Sequence, residues 1–307
     1  MNVWRDDPRN WPLPTVASAV TVGVFDGVHL GHQAILAELT ARAGKLTSAV
    51  VTFDPHPRAI ITPGAAPRLI TTLGRRIELI GEAGIGQIAV VPFGDRIRNL
   101  TPDEFCREVL ADGLRARLVV VGEDFHFGRD RSGSVEVLRR LGDHFGFEVD
   151  VIDLLSGNTG VVSSTLARSA IAEGRMQAAA EILGRPFELT GLVVEGEHRG
   201  QQLGFPTANL AVPPELVFPG RGVYAAEAVL EAKRLPAVVN VGVRPTFAET
   251  AETVEAHILD FERSLYGTRL GLEFVSRLRD EMKFASAAEL ASQIAIDIKK
   301  ARKLLGA

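Results

Sequence analysis

The sequence has little of what several protein classes depend on. Cys106 is the single cysteine among 307 residues, which excludes disulfide bonds within the chain and zinc sites built from several cysteines. No apolar run reaches the roughly 18 residues that a membrane-spanning helix needs. We therefore expect a cytoplasmic protein with no membrane partner, in which Cys106 serves packing.

The sequence also lacks a large excess of charge of either sign. Lys and Arg number 34 and Asp and Glu number 38, a formal net charge of −4. Residues 1–186 hold 20 basic and 22 acidic side chains and residues 187–307 hold 14 and 16, so each part carries −2. A surface that binds nucleic-acid phosphates usually has a marked positive excess. We predict no nucleic-acid partner, and the sequence does not indicate an oligomeric state.

The common glycine-rich nucleotide motifs are absent as well. No G-x-x-x-x-G-K-[ST] pattern occurs, which excludes P-loop chemistry. The pattern Gly84-Ile-Gly86-Gln-Ile-Ala89 resembles a dinucleotide fingerprint. It follows a helical pattern and opens a strand, the reverse of the order that the fingerprint requires, and so indicates a helix end.

What is present in residues 1–186 is an alternation of short β-branched runs with helical patterns. Continuous apolar strands joined by crossover helices predict an α/β domain with a doubly wound parallel sheet. The predicted strands are Ala19–Phe25, Ala49–Phe53, Gln87–Phe93, Leu118–Gly122 and Glu148–Ile152. The predicted helices are Gly31–Ala43, Thr72–Ala83, Thr101–Leu110, Ser134–His144, Ser164–Glu173 and Met176–Leu183.

The Gly184-Arg185-Pro186 segment is typical of a helix end and marks the expected domain boundary. The alternation of strand and helix patterns ends there. Strand patterns then follow one another between Gly/Pro-rich turns, which predicts a small antiparallel β-barrel in residues 187–307. The predicted strands are Phe187–Glu195, Gly222–Ala232, Ala237–Val241, Val254–Phe261 and Leu270–Leu278, and a terminal helix follows at Ser286–Leu304.

The segment from Gly23 to His32, GVFDGVHLGH, carries the clearest chemical signal of the first part. It places glycines and an Asp where a strand ends, then two histidines where a helix begins. Free N–H groups and the positive helix end make this edge suited to phosphate. His29 and His32, spaced i, i+3, could donate hydrogen bonds to phosphoryl oxygens. A surface His pair or half of a metal site is the alternative.

Other polar clusters follow later elements of the first part. Asp54-Pro55-His56-Pro57 predicts a stiff loop whose Asp and His serve as loop caps or ligand contacts. Asp124 and His126 follow the fourth predicted strand. Ser164 and Thr165 open a helix with Arg168 one turn on, which fits an N-cap or a phosphate site.

Two patterns stand out after Pro186. Thr207 and Asn209 lie in a rigid turn, and their oxygens suit Mg²⁺ that shares a nucleotide's phosphates; a turn capped by these side chains is the alternative. In Val254-Glu255-Ala256-His257-Ile258, strict alternation puts Glu255 and His257 on one strand face. Glu255 could act as a general base for a hydroxyl nucleophile, or be a solvated surface carboxylate.

Taken together, these segments resemble the prokaryotic bifunctional riboflavin kinase/FAD synthetase family. The similarity runs in the family's order from about Val20 to Asp297. It is carried by GVFDGVHLGH, TFDPHP, VGEDFHFG, SSTLAR, LGRPF, LGFPTANL, FPGRGVYA, VNVGVRPTF, VEAHILDF, SLYG and RLRDEMKF.

The resemblance implies two reactions and a set of residue roles. The C-terminal barrel would phosphorylate riboflavin from ATP–Mg²⁺, and the N-terminal domain would transfer AMP from ATP to FMN, giving FAD and pyrophosphate. The substrates and products would thus be ATP, riboflavin, FMN and FAD. The implied roles are catalysis for His29, His32 and Glu255; nucleotide binding for Gly23, Phe25, Asp26, Gly27, Asp124, Ser164, Thr165 and Arg168; Mg²⁺–ATP for Thr207 and Asn209; and a position near the flavin for Arg279.

Three positions depart from the family's pattern. His126 replaces a usual Arg, Leu166 a commonly basic residue, and Gln201 the usual Arg after Arg199-Gly200. Two of these lost charges lie in the adenylyltransferase part, so a riboflavin kinase with a weak or vestigial adenylyltransferase is one alternative. A flavin-binding regulator without turnover and an adenylyltransferase for another substrate are the others. Thr207, Asn209 and Glu255 argue against the regulator, because binding alone needs no base.

Overall fold

The computed structural model describes residues 1–152, 156–157, 160–196, 200, 203–231, 233–245 and 250–307. Contacts within the chain divide it into two compact units, Met1–Ser163 and Ser164–Ala307. The first unit contains the sheet of the predicted α/β domain, and the second contains the predicted barrel together with residues 164–186.

A six-stranded sheet forms the centre of the first unit. Its order is β1-β4-β3-β2-β5-β6, and every neighbouring pair is parallel. The central strand β2 is buried along its whole length, including Ser18 and Thr21, as expected for a strand of a parallel sheet covered on both faces. The strands are β1 (Asn2–Arg5), β2 (Ser18–Val22), β3 (Thr47–Asp54), β4 (Gln87–Pro92), β5 (Ala116–Gly122) and β6 (Glu148–Ile152). A two-stranded antiparallel ribbon, β7 (Ser156–Gly157) and β8 (Gly160–Val161), follows.

Helices cover both faces of this sheet, which confirms the doubly wound architecture. On β3, Val51 packs into one core together with helix α6, and its neighbour Val50 packs into the other with α1 and α3. Successive strand residues point to opposite faces, so both cores draw on the same strands. The helices are α1 (Leu30–Ala43), α2 (Pro57–Ile61), α3 (Leu73–Glu82), α4 (Asp95–Arg98), α5 (Pro102–Phe105) and α6 (Val135–Phe145).

Besides the unpredicted short helix α4 and the β7–β8 ribbon, three local features differ from the sequence prediction. Strand β1 was not predicted, because it lies at the sheet edge and is mostly exposed, without an apolar pattern. The helix predicted over Thr101–Leu110 is α-helical only in α5 and continues as a π-helical segment, Cys106–Gly113. The stiff loop before Pro57 gives way to a helix, since proline at the first helical position loses no hydrogen bond.

Cys106 lies inside the first core with no exposed surface, and burial raises the pKa of its thiol to about 12. Only the thiolate reacts with disulfide reagents. We therefore expect the native protein to be unreactive toward dithionitrobenzoate at pH 8, and to release one equivalent of thionitrobenzoate once guanidinium unfolds it. Prompt stoichiometric reaction of the native protein, followed by absorbance, would contradict the packing role.

The second unit is built on a closed barrel, as predicted. Its order is β10-β13-β12-β11-β14-β9, and every described neighbouring pair is antiparallel. Strand β10 was not predicted, because it has only four residues and follows a polar turn. The strands are β9 (Phe187–Val194), β10 (Ala208–Ala211), β11 (Gly222–Leu230), β12 (Lys233–Pro245), β13 (Thr250–Ile258) and β14 (Arg269–Arg279).

Three helices accompany the barrel: α7 (Ser164–Ala172), α8 (Met176–Leu183) and α9 (Ala287–Leu305). Helix α9 begins at the N-cap Ser286, and its Ala301 is buried against Val223 and Val238 of the barrel. Helix α8 packs on β9 and β14, and α7 packs on α8. Packing therefore groups α7 and α8 with the barrel. The functional boundary after Pro186, which the Gly184-Arg185-Pro186 segment predicts, stays a prediction. In the described part of the chain, no helix combines the length and apolar character needed to cross a membrane.

Candidate active sites

The first candidate site follows β2 at the carboxyl edge of the parallel sheet. The Gly23 N–H still donates to the Val51 carbonyl (3.0 Å), so pairing with β3 continues one residue beyond β2. The chain then turns sharply through Phe25 (φ 54°) and Gly27 (φ 79°) before α1 begins. The sequence thus brings the first four predicted nucleotide-binding residues into one turn at the N-terminus of α1.

Asp26 fixes this turn to the segment before α3. Its carboxylate is 1 % exposed and accepts hydrogen bonds from the backbone N–H groups of Ile70 (3.0 Å) and Thr71 (3.1 Å), and from the Thr71 hydroxyl (3.3 Å). The Gly27 N–H donates to Thr71 Oγ1 (3.1 Å). Asp26 thereby ties the turn to Ile70 and Thr71, and its predicted contact with the nucleotide stays a prediction.

Two glycines in this turn are required by geometry. Gly27 has a φ in the left-handed region, and a Cβ there would lie 2.9 Å from Ile70 Cδ1. A Cβ on Gly31 would lie 3.2 Å from two ring atoms of His29. The glycine spacing of the motif therefore lets the turn close and lets the His29 ring pack against the first turn of α1.

His29 and His32 form a stacked pair at the start of α1. Their ring centroids lie 3.7 Å apart with an interplanar angle of 18°, and Phe25 packs against His32 at 5.0 Å. His29 is the N-cap of α1: its Nδ1 accepts from the His32 backbone N–H (3.4 Å), so a neutral His29 carries its proton on Nε2. Both imidazoles thus lie at a helix N-terminus, which favours anionic groups.

The other polar residues predicted at this sheet edge show simpler local contacts. His56 caps α2, since its Nδ1 accepts from the Arg58 N–H (3.1 Å). Asp124 is exposed after β5, and its carbonyl accepts from Nδ1 of the exposed His126 (2.8 Å). The structure therefore favours the cap interpretation for His56 and leaves the side chain of Asp124 at the surface.

Arg76 is a buried cation at the same edge that sequence analysis did not single out. It is 1 % exposed, and its Nη1 donates to Thr52 Oγ1 (3.4 Å) and the Phe53 carbonyl (3.1 Å) at the end of β3. Burial lowers its pKa, and the carboxylates of Asp26 and Asp54 oppose that shift. The helical period of α3 could have found it, because Arg76 lies one turn before the buried Ile80.

The predicted phosphate-side residues lie in the second unit. Ser164 is the first residue of α7 and is half-buried, Thr165 is exposed, and Arg168 is half-buried one turn further along. Leu166 between them is 39 % exposed. The order of hydroxyls and guanidinium on one helical turn is as the sequence predicted, and the phosphate role of these residues stays a prediction.

In the barrel, two cavities adjoin at Thr207 and Asn209. One, of about 250 Å³, is lined by residues of β10 and β13 and by the segment after β13, including Phe261 and Tyr266. The other, of about 620 Å³, extends to β11, β12 and α9. Thr207 and Asn209 line both. The polar turn singled out in the sequence therefore stands where two ligands could meet.

The side chains of this turn fit against glycine backbone. A Cβ on Gly196 would lie 2.8 Å from Asn209 Oδ1 and closer still to the amide nitrogen, and a Cβ on Gly200 would lie 3.2 Å from Thr207 Oγ1. A hydroxyl and an amide oxygen are neutral, hard donors of the kind that Mg²⁺ accepts when phosphates supply the charge. Within the described residues, no cluster of three or more His, Cys, Asp or Glu side chains could hold a metal ion. The donor set of Thr207 and Asn209 fits Mg²⁺ bound together with a nucleotide.

Glu255 lies between two amides on neighbouring strands. It is directly opposite Asn209 on β10 and opposite Asn240 on β12. Directly opposed residues of antiparallel strands put their side chains on the same face, about 5 Å apart. All three residues line the larger cavity. Asn240 was not singled out from the sequence, because nothing local distinguishes it in a long β-branched strand.

His257 also lines the larger cavity and contacts the turn before Thr207. Its Nδ1 is 2.8 Å from the Pro206 carbonyl, and since a carbonyl only accepts, that nitrogen donates. Its ring packs edge-on against Phe205 at 5.7 Å. The predicted shared face of Glu255 and His257 thus faces the larger cavity.

Arg279, at the end of β14, lies on another wall of this cavity. Its Nε donates to Asp297 Oδ2 (2.9 Å) and its Nη1 to the Asp280 carbonyl (2.9 Å). Its Cζ lies 5.8 Å from the centroid of the Phe284 ring. The structure therefore brings Thr207, Asn209, Glu255 and Arg279 to one cavity.

Two family models match successive parts of the chain. A family model for FAD synthetase matches residues 14–166, and one for riboflavin kinase matches residues 183–305. A bifunctional riboflavin kinase/FMN adenylyltransferase of Pseudomonas fluorescens is 41% identical over 287 residues, which is 92% of both chains. The chain belongs to this bifunctional family. The corresponding protein of Escherichia coli K12 is 36% identical over 95% of this chain and 94% of its own.

A solved structure shows the same fold. The crystal structure of a protein described as a macrolide-efflux protein from Streptococcus pneumoniae matches 98% of this chain and 99% of its own, with a TM-score of 0.90 and 29% identity. Both the family and the fold class predicted from the sequence are thereby confirmed.

The chain belongs to the family although three of its residues depart from the family's sequence pattern. His126 and Leu166 are both exposed, and Gln201 lies outside the described residues. The two family models leave residues 167–182 between them, which holds most of α7 and α8.

Proposed function

We propose that this protein is a bifunctional transferase that makes FMN and then FAD. Its barrel phosphorylates riboflavin with ATP, giving FMN and ADP, and its α/β unit transfers AMP from a second ATP to FMN, giving FAD and pyrophosphate. The observation that carries this proposal is the junction in the barrel, where Thr207 and Asn209 line two cavities and Glu255 stands opposite Asn209. Membership of the bifunctional family supports both reactions.

The two cavities suit the two kinase substrates. We assign riboflavin to the cavity of about 620 Å³, which has room for a tricyclic ring and its ribityl chain and whose wall includes Phe205, Phe284 and Val238. We assign the ATP phosphates to the cavity of about 250 Å³. The γ-phosphate and the terminal ribityl hydroxyl then meet at Thr207 and Asn209.

At this junction Glu255 orients the terminal hydroxyl and accepts its proton as the oxygen attacks the γ-phosphorus and ADP leaves. Phosphoryl transfer depends on positioning and charge neutralisation more than on covalent participation by the protein. The amides of Asn209 and Asn240 on either side of Glu255 restrict where its carboxylate can lie. Thr207 and Asn209 would hold Mg²⁺, which supplies charge neutralisation on the phosphates when bound.

In the α/β unit, a phosphate oxygen of FMN attacks the α-phosphorus of ATP, and pyrophosphate leaves. Negative charge on the α-phosphate oxygens grows in the transition state. The N–H groups of His29 and His32, at the positive end of α1, donate to those oxygens. For Ser164, Thr165 and Arg168, which belong to the second unit, we keep the proposal from the sequence that their hydroxyls and guanidinium bind phosphate oxygens. We further propose that both reactions take place in the cytoplasm.

One time course tests the proposal. The purified protein is incubated with riboflavin, ATP and magnesium, and flavins are separated by chromatography. We expect FMN to appear first and FAD after a lag, because FMN is the substrate of the second reaction. A parallel incubation that starts from FMN should give FAD without a lag and release one pyrophosphate per FAD.

The other outcomes identify the alternatives. FMN that accumulates without FAD in both incubations would show a riboflavin kinase with a vestigial adenylyltransferase. Riboflavin that binds but is recovered unchanged would show a flavin-binding regulator. Conversion of neither flavin, with AMP transferred to another acceptor, would show a different adenylyltransferase.

A further inference from the structure

Asp297 is a buried carboxylate on α9 whose partners are both side chains. It is 1 % exposed, Gln293 Nε2 donates to its Oδ1 (2.9 Å), and Arg279 Nε donates to its Oδ2 (2.9 Å). A buried carboxylate is costly unless it is paired and hydrogen-bonded, and replacing such a pair by apolar residues often stabilises a protein. Stability alone therefore gives little reason for a charge at this place.

The position of the pair gives a different reason. Asp297 and Arg279 both line the larger barrel cavity, and the Arg279 side chain keeps 15% of its surface exposed. Arg279 uses Nε toward Asp297 and Nη1 toward the Asp280 carbonyl. Among the described residues, no group accepts a hydrogen bond from its Nη2. Two of the three guanidinium nitrogens are thus held by the protein, and Nη2 is available to a ligand.

Phe284 lies within cation–π distance of the same group. The Arg279 Cζ lies 5.8 Å from the centroid of the Phe284 ring. A guanidinium whose Nε and Nη1 are both hydrogen-bonded to the protein has little rotational freedom left, so its Nη2 N–H groups are oriented before a ligand arrives. The ligand that such a group suits is a planar heteroaromatic ring with carbonyl acceptors, which the isoalloxazine of riboflavin is.

We propose that Asp297 is a positioning residue for riboflavin: it acts through Arg279, whose guanidinium it holds in the orientation that binds the flavin ring. This inference rests on the proposed function, since it takes riboflavin as the occupant of the larger cavity. Asp297 contributes to flavin affinity and has no part in the transfer of the phosphoryl group, which takes place at Thr207, Asn209 and Glu255.

The test is a comparison of riboflavin binding and kinase kinetics in the full-length protein. Asp297→Asn keeps the size of the side chain and removes its charge. We expect the riboflavin Kd, measured by fluorescence titration, and the riboflavin KM to rise roughly 10- to 100-fold, the usual range for a hydrogen bond to a charged group. The kcat and the KM for ATP should stay within about twofold. The reason is that the variant loses riboflavin binding energy that is the same in the ground state and the transition state.

A double-mutant cycle separates positioning from support of the fold. Arg279→Met removes the guanidinium and keeps its aliphatic stem. If Asp297 acts through Arg279, adding Asp297→Asn to Arg279→Met produces no further rise in the riboflavin Kd. Asp260→Asn is the matched control, because it removes the other ion pair of α9, from Arg302 to Asp260 (2.8 Å), at a residue outside the cavity lining.

The outcomes are distinct. An unchanged riboflavin Kd in Asp297→Asn overturns the proposal, as does an equal rise in the Arg279→Met background or in the Asp260→Asn control. If thermal unfolding shows that Asp297→Asn is not folded, Asp297→Glu replaces it, with the charge retained but displaced, and the same rise in Kd at constant kcat is expected. Riboflavin that does not bind the unmodified protein would instead contradict the proposed function itself.

Discussion

Replacing Glu255 with glutamine is expected to lower FMN formation by roughly 10²–10⁴-fold, the usual contribution of general acid–base catalysis. The substitution keeps the size and hydrogen-bonding shape of the side chain between Asn209 and Asn240. What is lost is the group that accepts the proton of the ribityl hydroxyl. The measurement is the rate of FMN formation from riboflavin at saturating ATP, with flavins separated by chromatography.

The same variant contains an internal control, because FAD formation from supplied FMN should continue at its normal rate. Glu252→Gln provides a matched control on the same strand, since Glu252 is exposed and lines neither cavity. We expect that variant to keep the kinase rate of the unmodified protein. A Glu255→Gln variant with an unchanged kinase rate would assign Glu255 to the solvated strand face.

Replacing His32 with alanine is expected to cut FAD synthesis by roughly 10²–10³-fold, mainly in kcat. Loss of one preorganised donor to a developing oxyanion typically costs about 2.7–4 kcal/mol of transition-state stabilisation. His32 stacks on His29 at 3.7 Å at the N-terminus of α1, where such a donor would act. The reverse reaction, pyrophosphorolysis of FAD, should fall by the same factor because both directions share one transition state.

Riboflavin phosphorylation by the His32→Ala variant should be unchanged because the kinase residues lie in the other unit, and circular dichroism and thermal unfolding check that the α/β unit is folded. His144→Ala is the matched control in the same unit, because His144 is exposed on α6 and packs only edge-on against Phe145 among ring contacts in the described residues. If FAD synthesis by folded His32→Ala stays within a few-fold of normal, the histidine pair does not stabilise the transition state. Arg168 would then be the first residue to test as the source of that charge.

Much of the candidate sites could be proposed from local sequence because their residues lie in short segments. The turn from Gly23 to His32 is contiguous, so the residues that open α1 could be named together without any knowledge of packing. The alternation of Val254 through Ile258 placed Glu255 and His257 on one face, and both line the larger cavity. The period of a strand and the residue preferences of a turn are local properties, so in these two segments they could be read without the fold.

Prediction failed where the side-chain pattern of the segment itself does not carry the deciding information. Strand β1 exists because it pairs with β4 some 85 residues later, Asn2 opposite Gln87, and its own sequence carries no apolar pattern. The helix predicted over Thr101–Leu110 turns into a π-helical segment from Cys106 onward, a change of hydrogen-bonding period that side-chain pattern does not specify.

The sequence by itself determined the two-part architecture and the identity of the residues that open α1 and line the barrel turn. Only the tertiary structure decided which distant groups complete those sites. Asn240 stands beside Glu255 because β12 pairs with β13, and Asp297 reaches Arg279 because α9 packs on the barrel. Asp26 is buried and bonded to Ile70 and Thr71, 44 and 45 residues further along. Hydrophobic period and turn propensity act over a few residues, whereas pairing register and burial of charge depend on the whole fold.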